Sequence, residues 1–342
     1  MAIDRRTLLG LAIAGLAPQA FRIGPAAAQA PFDPPRKIPL SATPIEAFSL
    51  QDPALRRFGE LEYRGGLVLR SPNRHFGGYS GLNIAADGAT FIAVSDQGTW
   101  LSGRILYRDA VPIGIADAEV ALALDAQGRP VKERKWYDLE ALAADGDTLY
   151  VAIERVNQIL KFDYGKDGLS ARGQPIAVPA AFKDLPYNKG IEGLAFAPPG
   201  HPLAGALIAI SERGLDKAGN IRGFLIGGSQ PGQFTIRRDD EFDISDCALL
   251  PRGDLLILER RYSPARGLAI RLRRIAQMQI RPEAVLDGRT LFEADLGFQI
   301  DNMEGLAVHR GASGETILTM ISDDNFSFLQ RTLLLQFVLA GE

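Results

Sequence analysis

The chain repeats itself, and that repeat is what most narrows the folds open to it. Five segments open on Ser80-Gly81-Leu82, Glu140-Ala141-Leu142, Glu192-Gly193-Leu194, Asp246-Cys247-Ala248 and Glu304-Gly305-Leu306. Their first residues lie 60, 52, 54 and 58 positions apart. Such a period signals supersecondary units that stack or ring together to bury a shared core. Each opening leads into a short apolar strand, a turn and a second apolar strand. The turns are Asp87-Gly88, Asp145-Gly146, Pro198-Pro199-Gly200, Arg252-Gly253 and Ser313-Gly314, residues that break regular structure. The second strands read as 90–95, 148–153, 206–211, 254–258 and 316–322, rich in Val, Ile and Leu and too short for helices. Further strand-like runs follow at 158–162 and 175–178, and at 223–226 and 233–237. Four short antiparallel strands per repeat make the blade of a propeller. No stretch keeps a 3.6-residue apolar period, which excludes a helical solenoid.

The last repeat is one strand short. After Asp323 only 331–339 reads as a strand before the chain ends. The run 60–69 has no repeat opening and supplies the missing outer strand, closing the ring and hiding two sheet edges. The expected fold is therefore all-β: a single β-propeller of five four-stranded blades, closed by an N-terminal strand. A divergent blade within 45–79 would make it six.

Geometry gives the acids their meaning. Innermost strands line the central channel, so equivalent positions form rings. The openings contribute Glu140, Glu192, Asp246 and Glu304, with Ser80 in the first repeat. The second strands end on Asp96, Glu154, Glu212, Glu259 and Asp323. Because neighbouring strands are antiparallel, both sets should meet at one mouth of the channel. So many like charges raise one another's pKa and titrate together unless something neutralises them. Oxygen-only ligands in a roomy site suit calcium, and no His or Cys set exists for zinc. The nine acids Asp96, Glu140, Glu154, Glu192, Glu212, Asp246, Glu259, Glu304 and Asp323 are the candidate metal ligands. Arg155, Arg213 and Arg260, each directly after an acid, and Lys189 are candidate contacts for an anionic substrate. The competing reading is structural: the same acid–Arg pairs knit blades together.

Bulk properties set the remaining bounds. The 342 residues are 46% hydrophobic, enough for a large core. A net charge of −3 does not favour a nucleic-acid partner. Cys247 is alone, so an intramolecular disulfide is excluded. Arg5-Arg6, the mild apolar run 8–17 and Ala26-Ala27-Ala28 read as a twin-arginine export signal over 1–28, with a periplasmic or secreted destination. The apolar run is too short to span a membrane. Cleavage after Ala28 removes Arg5, Arg6, Arg22 and Asp4, a net of +2, and takes the formal charge from −3 to −5. Residues 29–57 read as a Pro-rich leader and 58–342 as the propeller domain, expected to be a monomer.

Familiar hydrolase signatures fail. Gly78-Tyr79-Ser80-Gly81-Leu82 misses the serine-elbow pattern at its last position. His75, His201 and His309 form no triad or ligand set.

Several motifs, in order, resemble one known family. They are Ile191-Glu192-Gly193-Leu194-Ala195, Ser211-Glu212-Arg213, Asn302-Met303-Glu304-Gly305-Leu306, Ser322-Asp323-Asp324-Asn325-Phe326 and Gln330-Arg331-Thr332-Leu333-Leu334-Leu335. The resemblance is to the esterase-like activity of phytase (phytase-like) family, and it runs from about Gly59 to Leu339. It implies a β-propeller, often exported by bacteria, and ester or phosphoester hydrolysis. Ser80 and Asp246 depart from the regular openings. No agreed set of catalytic residues comes with the resemblance. Glu192, Glu212 and Glu304 are the candidates from the residues themselves, with one carboxylate as general base beside a bound calcium. The expected activity is hydrolysis of a small ester or phosphoester. Rival readings are a ligand-binding propeller without catalysis and, ranked lowest, a lactonase-type or oxidoreductase propeller.

Overall fold

Each repeat opening becomes the innermost strand of a sheet in the computed structural model, which describes residues 34–341. The inner strands are Tyr79–Ile84, Leu139–Asp145, Ile191–Phe196, Asp243–Leu249 and Asn302–Arg310, in blades I to V. Each packs against the next, and the fifth returns to the first. This is a five-bladed β-propeller around a central channel. The export-signal and cleavage expectations fall outside the described residues. Among the described residues no helix is long and apolar enough to cross a membrane.

Blade V closes as expected. Its strands run Asn302–Arg310, Thr316–Asp323 and Thr332–Leu339, and the fourth is the N-terminal Leu61–Arg70. The 45–79 segment thus supplies the closing strand and the lead into blade I, not a sixth blade. Part of the segment read as leader is also built into the sheets. Ser41–Ile45 pairs outside Leu61–Arg70, and Arg36–Lys37 pairs outside blade I. Phe48 anchors it: fully buried, its ring lies 5.0 Å from those of Phe58 and Phe337. In blade II the fourth strand is Arg172–Pro175, ahead of the expected 175–178. Pro175 and Pro179 bracket the later stretch and remove backbone donors a ladder needs.

Five apolar clusters hold the ring, one between each adjacent pair of blades. Ile92 and Val94 of blade I meet Leu142 and Val151 of blade II, for example. The inner strands approach closely, and at two of the openings the residue that follows must be glycine. A Cβ on Gly81 would sit 2.9 Å from the Leu142 nitrogen, and one on Gly305 would lie 3.2 Å from that of Leu82.

Every inner strand carries a β-bulge one residue after its apolar start. The register slips between Tyr79 and Gly81, Leu139 and Ala141, Ile191 and Gly193, Ile244 and Asp246, and Met303 and Gly305. Bulges often re-aim a side chain beside a functional site. The bulged residues are Ser80, Glu140, Glu192, Ser245 and Glu304.

Candidate functional site

The bulges align the blades residue by residue, and the carboxylate ring follows. The first set is Ser80, Glu140, Glu192, Ser245 and Glu304. The second set lies one residue past the partner of each strand start: Asp96, Glu154, Glu212, Arg260 and Asp323. The two sets meet at one channel mouth, as the antiparallel argument requires. Ser80 Oγ donates to Glu304 Oε2 at 3.3 Å across the blade I–V boundary. The Gly190 amide donates to Glu154 Oε1 at 2.8 Å between blades II and III.

Two expected ligands leave the ring. Asp246 occupies the small-residue position of blade IV. Its oxygens accept from the amides of Cys247 and Leu306, both at 2.7 Å, so it ties blade IV to blade V. Glu259 pairs in register one residue short of the ring position and turns its carboxylate onto Arg271 and Arg273. Both Nε atoms donate to Oε2 at 2.8 Å, and all three side chains are buried. A shift of one residue along a strand turns the side chain to the opposite face. The apparent acid–Arg pair Glu259-Arg260 is therefore, in register, the pair Arg260-Arg261.

The remaining acids crowd the mouth. Glu140, Glu154, Glu192, Glu212, Glu304 and Asp323 are all buried. One ligand oxygen each from Glu154, Glu192 and Glu212 lie within 4.8 Å of one another. A second triad joins Asp138, Glu140 and Glu154 on the same terms. At that spacing each ionised pair repels by about 3 kcal/mol at the effective dielectric of a protein site. Full ionisation therefore needs a counter-charge. Burial, with Glu212 and Asp138 nearby, pushes Glu154 up to about 7. Burial, then Glu304 and Asp96, pushes Asp323 up to about 8. Asp96 rises to about 6 through burial, with Asp138 and Glu304 adding to it. Burial first and neighbouring acids second hold Glu140 and Glu192 well above the usual carboxylate range. Glu192 Oε2 is buried without a hydrogen-bond partner. An orphaned buried acceptor inside an all-oxygen cluster fits a hard cation such as calcium. The donor set therefore suits a metal ion.

The basic candidates are present, but each is occupied by an acid. Lys189 Nζ contacts Glu212 Oε2. Arg213 grips Asp243, its Nε 2.8 Å from Oδ2. Arg155 donates to Asp138 Oδ2 at 2.5 Å and lies over the Tyr137 ring at 4.5 Å. Arg260 Nη1 donates to Asn302 Oδ1 at 2.6 Å, and its Nη2 lies 3.2 Å from Glu304 Oε1 and 3.5 Å from Glu212 Oε1. None therefore offers an unpaired charge to an anion.

Asp138 was not among the expected ligands. It precedes an inner strand in the left-handed region, at φ 67°. Its counterparts are Gly78, Gly190, Asp243 and Asn302, so no repeated residue type flags it. The opposite half of the channel mixes apolar residues with Asn83, His309 and Arg310. A cavity of about 370 Å³ there is lined by Leu82, Leu142, Leu194, Cys247 and Leu306. His309 borders it, kept neutral because burial lowers its pKa to about 4.

Solved structures similar to this chain are distant. A gluconolactonase from Xanthomonas campestris is 12% identical, with 88% of this chain and 99% of that one covered at a TM-score of 0.41. Glutaminyl cyclase from Myxococcus xanthus is 13% identical over 80% and 97%, at 0.40. The PQQ-bound aldose sugar dehydrogenase from Streptomyces coelicolor is 13% identical over 80% and 98%, at 0.39. The blade count rests on the sheet topology above. No curated protein matches the chain in sequence. The model of the phytase-like family, described as esterase-like activity of phytase, matches residues 74–326, and the chain belongs to that family.

Proposed function

We propose that the protein is an exported hydrolase of a small ester or phosphoester, working at the carboxylate mouth with a bound calcium ion. The observation that carries this is the buried, unpartnered Glu192 Oε2 within the Glu154–Glu192–Glu212 cluster. A bound divalent cation would neutralise an anionic substrate group and acidify a water. Glu154, Glu192 and Glu212 would hold it. Glu304, held by Asn302 Nδ2 at 2.8 Å and by Ser80, would accept a proton beside them. Because Lys189, Arg155, Arg213 and Arg260 are already paired, the anion would be attracted by the cation.

That same pairing also favours a second reading, a ligand-binding propeller whose metal only rigidifies the mouth. Assays separate the two. Purified protein is offered p-nitrophenyl acetate, p-nitrophenyl phosphate, bis-p-nitrophenyl phosphate and phytate, with calcium and with a chelator. The expected outcome is turnover of at least one substrate, lost with the chelator and restored by calcium. A calcium-dependent rise in melting temperature with no turnover would support the binding reading instead.

A further inference from the structure

Blade IV breaks the pattern at both ring positions. Blades II and III place Glu140 with Glu154 and Glu192 with Glu212, and blade V places Glu304 with Asp323. Blade IV places Ser245 and Arg260.

The exchange divides the ring into unequal halves. Among the described residues, one triad of converging oxygens is Asp138, Glu140 and Glu154 of blade II, and the other joins Glu154 to Glu192 and Glu212 of blade III. Neither includes Glu304 or Asp323. On that side the guanidinium of Arg260 fills the space, bonded to Asn302 and lying against Glu304 and Glu212. Burial disfavours its charge, but Glu304, Glu192 and Glu212 more than compensate and raise its pKa further. An arginine does not deprotonate in a protein, so this positive charge is permanent. The orphaned acceptor, Glu192 Oε2, belongs to the Glu154–Glu192–Glu212 triad, in a side chain only 5% exposed.

We propose that Arg260 is the ring's resident cation. It takes the place a diffusible ion would hold beside Glu304, and confines the exchangeable ion to Glu154, Glu192 and Glu212. The inference rests on the cation reading above and adds where the ion sits and how many the ring takes. A ring with an acid in all five blades would gather several ions. Here one charge is covalently tethered, pays no binding entropy, and repels a second ion from the blade IV–V side.

Calorimetric titration with calcium of the chelator-stripped full chain tests it. The wild type is expected to bind one calcium. Arg260→Gln removes the charge and is expected to bind two, whereas Arg260→Lys keeps it and stays at one. A single calcium in both wild type and Arg260→Gln overturns the resident-cation inference alone. No calcium in the wild type overturns the cation reading beneath it. A second pair of variants leaves Arg260 in place, in case its loss prevents folding. Glu192→Gln is expected to weaken calcium by about tenfold or more, as for a lost metal contact, and Glu304→Gln far less. Equal weakening by both would put the ion on the blade V side and overturn the assignment.

Discussion

At the scale of single residues, the mouth is defined by carboxyl groups that burial and one another hold above the usual carboxylate range. Asp96, Glu154 and Asp323 titrate at about 6, 7 and 8 in the folded chain. In the unfolded chain such groups titrate near about 4. Between those limits the native state holds protons that the unfolded state has released, so stability falls as pH rises. Stripped of cations, the protein is expected to melt at a higher temperature near about pH 5 than near about pH 8. With saturating calcium the ion replaces the protons and the slope should flatten. Melts followed by circular dichroism at both pH values check this, and a melting temperature that climbs with pH in chelator would refute it. The residue types of the site were legible in the repeat, since acids recur at strand ends. Asp138 was not, because its counterparts in other blades are glycine, aspartate and asparagine.

At the scale of elements, one bulge decides between a ring ligand and an internal tie. Glu259 ends an apolar run just as Glu154 and Glu212 do, and sequence spacing treats all three alike. The bulge at Ser245 sets the register of blade IV so that Glu259 faces Arg271 and Arg273. Glu259→Ala would take the buried acid from two buried guanidinium groups, leaving Arg271 with Asp239 at 3.3 Å and Arg273 with Asp287 at 3.9 Å. The expected cost is at most about 3–5 kcal/mol, the penalty for breaking a buried ion pair, because those second acids remain. Calcium stoichiometry should not change. Urea unfolding and calcium titration of the same variant check both halves. An unaltered midpoint would mean that the three charges contribute little. A bulge inserts one unpaired residue and leaves no mark on composition, so alignment by residue type passed over it.

At the scale of the whole molecule, the propeller is held by its blade interfaces and by the closing strand. Leu61–Arg70 pairs along the whole of Thr332–Leu339, joining chain segments more than 250 residues apart. Leu67 lies fully buried in that strand, in the cluster between blades V and I. Leu67→Ala is expected to cost about 2–5 kcal/mol, as for a core cavity. Because closure couples all five blades, unfolding should remain a single transition in urea. Separate transitions by fluorescence and circular dichroism would show that the blades melt independently.

The sequence alone determined the all-β class, the propeller repeat, the closing strand and a mouth rich in acids, and left five or six blades open. These follow from local facts, strand-length apolar runs and turn residues recurring at a regular spacing. Only the tertiary structure decided which acids converge, that Arg260 stands among them, and that the other basic side chains are already paired. Those outcomes depend on register and on contacts between different blades. A one-residue slip reverses a side chain without altering any pattern along the chain.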